Sequence, residues 1–196
     1  MKRLLTITLI TLFISGTGFA QINKGITGGV NLPNLSVDPS PDGVEFENYQ
    51  GMVGGIFLEL DLLGPIDFQA EVLYSQKGTI AKIGDHETKA RLNYILIPVL
   101  IKFKMPVVPT LGLNLQGGAY LGKKIGETIE PDMGAEDDVF ENSDMGAIIG
   151  VGVQFKAFVS DLRIEARYSM GFTNIGKEEG DTIKNKNMMV LIGIGL

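Results

Sequence analysis

The chain of 196 residues carries 17 Lys and Arg against 23 Asp and Glu, a formal charge of −6, and contains no cysteine. The acidic balance repels nucleic-acid phosphates, so no nucleic-acid partner is expected. The missing thiol excludes a disulfide scaffold, a thiolate metal site, a cysteine nucleophile and a lipid anchor on an N-terminal cysteine.

The first element is the stretch MKRLLTITLITLFISGTGFA (1–20), with positive Lys2 and Arg3, an apolar run from Leu4 to Ile14, and small Gly18 and Ala20. That is the pattern of a secretory signal peptide cleaved before Gln21. The apolar run is too short to span a bilayer, which takes about 20 residues of helix. Loss of residues 1–20 leaves 15 basic against 23 acidic side chains, a charge of −8, on one domain over 21–196. No later segment holds 18 consecutive apolar residues, so no transmembrane helix is expected.

Eight strands are predicted by period-two alternation: 24–31, 49–60, 66–76, 92–104, 110–121, 145–157, 161–172 and 187–196. Their connections alternate in length. DLLGP (61–65), MPVVP (105–109) and FVS (158–160) are tight, whereas 31–47, 77–91, 122–144 and 173–186 are long. Short turns on one side and long loops on the other, with an even number of strands, are the pattern of an up-and-down transmembrane β-barrel with periplasmic turns and extracellular loops.

The faces of the strands agree. Phe68, Ala70, Val72 and Tyr74, then Ile95, Ile97, Val99, Ile101 and Phe103, Leu111, Leu113, Leu115 and Ala119, Ala147 to Phe155 in alternation, and Met188 to Leu196 in alternation form an uncharged outer face. The opposite positions hold Glu59, Asp67, Gln69, Glu71, Lys102, Lys104, Asn114, Gln116, Tyr120, Gln154 and Lys156. In DLRIEARYSMGF (161–172), Arg163, Glu165 and Arg167 alternate with Leu162, Ile164, Ala166 and Tyr168. An Arg or Lys facing hydrocarbon at midplane costs roughly 2–4 kcal/mol, so these ions are placed in the lumen, paired with the acids and lysines of the other strands. Gly28, Gly54, Gly117 and the GVG at 150–152 are expected to give them room. Phe68, Phe103 and Phe155 fall near the short turns, and Tyr74, Tyr168 and Phe172 near the long loops, as two interfacial girdles would require.

EVLYSQKGT (71–79) and LNYILIPVLIKFK (92–104) resemble the outer-membrane β-barrel family of Bacteroidetes-type bacteria, the porin-family or PorT-like barrels. The matching residues are Glu71, Tyr74, Ser75 and Gly78, then Tyr94, Pro98 and Lys102, and GITGGVNLPNLS (25–36) is similar to the family's opening strand. The resemblance implies an eight-stranded outer-membrane barrel, some of whose relatives are linked to protein secretion; it implies no catalytic residue or cofactor. The chain departs from many such barrels by ending in Leu196 rather than an aromatic residue.

Candidate chemistry is sparse. His86, the one histidine, is read as an exposed loop residue, and without a second His or a Cys, triads and typical zinc sites are excluded. The acidic stretch EPDMGAEDD (130–138) is read as a solvated loop whose spacing does not match a calcium loop, leaving at most weak divalent binding. GxG at 150–152 and 193–195 lies in strands and lacks a nucleotide-binding context. The lumen residues Glu59, Asp67, Glu71, Lys102, Arg163, Glu165 and Arg167 are expected to form a structural charge network filling a narrow barrel, rather than a catalytic pair or ion path. The function read from this is non-enzymatic: interaction or scaffolding by loops 31–47 and 122–144 of a protein held by outer-membrane lipids, with other envelope proteins as partners and no metal or cofactor. Two alternatives stand beside it, a narrow channel or secretion component, and a soluble periplasmic lipocalin-like barrel.

Overall fold

Alternating residues on an extended backbone point to opposite faces, so a segment with apolar and polar media on its two sides is stable as a strand. The computed structural model describes residues 21–38, 45–83, 86–130, 142–156, 160–174 and 182–196. Nine strands follow in order: β1 (Ile22–Asp38), β2 (Glu45–Asn48), β3 (Gly51–Leu63), β4 (Ile66–Ile83), β5 (His86–Val108), β6 (Leu111–Glu130), β7 (Ser143–Lys156), β8 (Asp161–Gly171) and β9 (Thr182–Gly195). All but β2 form one antiparallel up-and-down ring, in which β1 pairs with both β3 and β9, and β4 with both β3 and β5. The expected eight-stranded barrel is therefore the fold. The short β2 pairs with the far end of β4, from Glu45↔Lys82 to Asn48↔Thr79, beyond the point where β3 begins.

The short connections are tighter than expected, because strand pairing runs into them. Among the described residues Gly64–Pro65 and Pro109–Thr110 remain as turns, the third short connection lying mostly outside them, and Gly64 takes a left-handed φ of 60°, which a side chain would disfavour. The long connections differ more. Residues 77–91, expected as a loop, are mostly a ladder from Lys77↔Leu92 to Ile83↔His86, so His86 begins a strand instead of lying in a loop. The same holds for 122–130, which continues β6, and for 31–38, which continues β1. Beyond the hydrocarbon both faces of a strand can be polar, so the alternation fades while the backbone ladder persists. The signal segment 1–20 and residues 131–138 of the acidic stretch lie outside the described residues.

The outward face is apolar. Val72, Ile97, Val99, Ile101, Leu115, Ile149, Val151 and Ile192 are each between 41 and 55% exposed, in a continuous band that a water-soluble chain would not display. Phe103 and Phe155 lie outward at the short-turn end, while Tyr74, Tyr168 and Phe172 lie outward towards the other.

The inner face is layered. Along β4 the buried positions read Asp67, Gln69, Glu71, then Leu73, then Ser75 and Lys77. Leu73 packs in a buried cluster with Val53, Leu96, Leu100, Ile148, Met189 and Leu191. The lumen is thus not polar throughout, as the alternation suggested: an apolar layer divides it. Its leucines on β5 share the inward parity of Lys102, a set that the charged residues alone do not reveal.

Candidate functional site

β8 supplies three of the ions at consecutive inward positions, and its neighbours supply glycine opposite each of them. Gly150 pairs with Arg167, Gly152 with Glu165 and Gly193 with Arg163. A Cβ at Gly193 would stand 2.7 Å from Arg163 Cγ, and one at Gly150 2.9 Å from Arg167 Cγ, so these positions must stay bare for the long side chains to cross the lumen. Gly28, Gly54 and Gly117, also expected to give room, lie on the opposite parity from buried Thr27, Val53 and Gln116 and face outward.

Across the lumen, β3, β4 and β5 provide the partners. Arg167 binds Glu71 through both terminal nitrogens, at 2.6 and 2.7 Å, and reaches Glu165 at 2.5 Å. Lys102 donates to Glu59 at 3.0 Å, to Gln69 at 2.9 Å and to Glu165 at 2.9 Å. Arg163 donates to Glu59 at 3.1 Å and Gln69 at 2.9 Å, with its guanidinium 3.8 Å from the centre of the Phe57 ring. Gln69 in turn donates to Glu71, which links the two halves. Glu59, Glu71 and Glu165 balance Lys102, Arg163 and Arg167, and all six are at most 3% exposed. Buried ions are tolerable when paired and hydrogen-bonded in this way.

The structure thus brings together six of the seven predicted lumen residues. Asp67, the seventh, is buried and inward but sits below the others, where Lys104 Nζ lies 2.5 Å from Asp67 Oδ2 and 3.2 Å from Asp61 Oδ1. Lys156, expected to pair inside, is exposed at the same end. Gln69, predicted only as an inward amide, is the hub between the two halves of the network, because its amide can accept from two cations and donate to a carboxylate at once.

A second polar cluster lies beyond the apolar layer, and of its members only Tyr120 is among the inward positions expected from the sequence. Asp144 Oδ2 accepts from Lys77 at 3.0 Å, Tyr120 at 3.0 Å and Asn185 at 2.8 Å. Lys77 is enclosed, with its Nζ 5.0 Å from the ring centres of both Tyr94 and Tyr120. The signal existed: Lys77 continues the parity of Asp67, Gln69 and Glu71, but a boundary set at residue 76 cut it off. Between the clusters, Asn31 donates to Ser75 at 2.7 Å and accepts from Asn187 at 3.0 Å.

A family model described as outer membrane protein beta-barrel domain matches residues 19–176. The chain belongs to that family. Barrels of known structure repeat its fold. OprG from Pseudomonas aeruginosa is 10% identical with a TM-score of 0.57, covering 90% of this chain and 95% of that one. Neisserial surface protein A is 14% identical with a TM-score of 0.53, covering 87% and 96%. Ail of Yersinia pestis, solved with the heparin analogue sucrose octasulfate, is 15% identical with a TM-score of 0.50, covering 90% and 99%. No curated protein matches the sequence. The chain is a small outer-membrane β-barrel, and the soluble lipocalin-like alternative is overturned by the family and by the apolar outward face. By the rule that turns are periplasmic and loops extracellular, the Lys104 end faces the periplasm and the Lys77 end the cell exterior.

Proposed function

We propose that this barrel is a non-enzymatic anchor whose role is interaction or scaffolding at the cell surface, carried by its extracellular connections 31–47 and 122–144 and held in place by outer-membrane lipids. The observation that carries this reading is the filled lumen. Charged side chains at most 3% exposed, an apolar layer and the Lys77 cluster succeed one another along the barrel, a plug rather than a passage. The three network carboxylates are each bound to cations, which argues against a free acid–base pair among them. Two finer elements belong to the same proposal. One is kinship with PorT-like barrels of Bacteroidetes-type bacteria, supported by Glu71, Tyr74, Ser75 and Gly78 with Tyr94, Pro98 and Lys102. The other is export through a signal peptide removed before Gln21.

The second reading, a narrow channel or secretion component, draws on a cavity of about 650 Å³ at the periplasmic end that reaches Glu59. One experiment separates the two. In cells, 131–141 is replaced by a short Gly-Ser turn in one variant, and Arg167 and Glu71 are both replaced by Met in another, with assembly of each checked by the heat-dependent gel shift. Loss of the wild-type phenotype with the loop variant alone, and no conductance of the wild-type barrel in planar bilayers, is the expected result. A conducting wild-type barrel whose conductance changes in the Arg167 variant, with the loop variant behaving as wild type, refutes it.

A further inference from the structure

The periplasmic mouth holds more negative charge than it balances. The six-ion network above it is neutral, and among the described residues Lys104 is the one cation paired with Asp61 and Asp67, while the Asn23 amide also donates to Asp61 at 3.3 Å. Carboxylate oxygens of Glu59, Asp61 and Asp67 lie within 4.8 Å of one another. Asp67 is fully buried, and its Oδ1 has no hydrogen-bond donor. An orphaned carboxylate oxygen in a buried place costs several kcal/mol in general unless a donor or a cation meets it. Glu59 contacts Lys102 and Arg163 through Oε2, and Oε1 takes part in neither contact. The cluster is not sealed: Asn23, Glu59, Asp61 and Lys104 line the cavity of about 650 Å³ that opens at this end.

Calcium takes oxygen ligands at about 2.3–2.6 Å in flexible geometry, so oxygens sharing one ion stand up to about 5 Å apart. Three carboxylates at this spacing, one of them with an unmet buried oxygen, are the donor set of a hard divalent cation. We propose that the periplasmic mouth of the barrel holds a divalent cation of the calcium class between Asp67, Asp61 and Glu59, admitted when the Lys104 side chain swings out into the cavity. Lys104 is 30% exposed and its ammonium stands where the ion would be felt, so it acts as the resident counter-ion and competitor. The ion gives Asp67 Oδ1 its partner, and through Glu59 it is tied to Lys102 and Arg163. The mouth and the lumen plug are then stabilised together.

The test uses the barrel refolded in phosphatidylcholine vesicles, stripped with EDTA and titrated with CaCl2 by calorimetry, with the midpoint of the heat-dependent gel shift followed in parallel. The wild type is expected to bind one ion with Kd of about 10⁻⁴–10⁻³ M, the range of extracellular calcium modules, and its midpoint to rise. Lys104→Met removes a like charge a few ångströms away and is expected to bind roughly tenfold tighter. Asp61→Asn and Asp67→Asn lose the response, and Asp61→Asn, half-buried at the mouth, decides the matter where Asp67→Asn fails to assemble. Lys156→Gln leaves it intact. Binding in neither the wild type nor Lys104→Met overturns the proposal. So does binding that survives Asp61→Asn, and binding confined to Lys104→Met, which makes the lysine the permanent occupant.

Discussion

Arg167→Met removes the cation that Glu71 grips with both oxygens and that Glu165 reaches at 2.5 Å. Glu165 keeps Lys102 at 2.9 Å, but Glu71 is left in a fully buried lumen with only the Gln69 amide. Breaking a buried pair from one side costs about 3–5 kcal/mol, because the surviving charge has lost its partner and cannot reach water. Glu71→Met is expected to cost a similar amount, leaving Arg167 with Glu165 alone. The double variant removes both charges and places two thioether chains beside the apolar layer, so its loss is expected to be smaller than either single one; replacing buried ion pairs by hydrophobes is often neutral. The measurement is urea unfolding of the four barrels in phosphatidylcholine vesicles, read as a double-mutant cycle whose coupling is expected to exceed either single loss, about 3–5 kcal/mol. An Arg167→Met barrel within about 1 kcal/mol of wild type, or a double variant that loses the sum of the two singles, refutes the account of the network as one mutually dependent unit.

Adjacent glycines on β1 are predicted to differ sharply. A Cβ at Gly29 falls 1.9 Å from Val190 O, whereas one at Gly28 meets nothing nearer than 3.7 Å, so Gly29→Ala abolishes the unboiled folded band and Gly28→Ala retains it. Val151→Arg puts a cation on the lipid-facing surface and is expected to cost roughly 2–4 kcal/mol in vesicle unfolding, which a lumen location for that residue would not predict. Lys77→Met leaves Asp144 with only Tyr120 and Asn185, at a cost of about 3 kcal/mol, and adding Asp144→Asn recovers much of it in the same assay.

The ring and its sidedness were legible because the bilayer imposes a rule the sequence must obey strand by strand. Val151 and Ile192 cannot be charged and Arg163 cannot face out, so parity alone assigns them. Outside the hydrocarbon that rule lapses, and the same reading stops β4 at residue 76 although its ladder runs to Ile83. Lys77 and Asp144 were lost for this reason, and with them the outer polar cluster. Glycine is ambiguous in another way: it has no side chain whose polarity could betray the face, so Gly28 and Gly150 looked alike until the register set the second opposite Arg167. The apolar layer escaped notice because Leu96 and Leu100 sit on a strand that is apolar on both faces through this stretch, where period two carries no contrast.

The sequence separation of the paired ions bears on how the barrel enters the membrane. Arg167 and Glu71 are 96 residues apart and Arg163 and Glu59 are 104 apart, so β8 meets its counter-charges only when β3, β4 and β5 already stand across the lumen. A growing sheet that lacks β8 carries Glu59 and Glu71 towards hydrocarbon with Lys102 as their main companion, and one that lacks β4 leaves Arg167 with Glu165 alone and three cations of the network against two carboxylates. A partial barrel therefore costs more to place in lipid than the closed one, in which each ion of the network meets its partner. The side of the protein that never touches the membrane thus adds to the cost of any sheet that meets lipid incomplete.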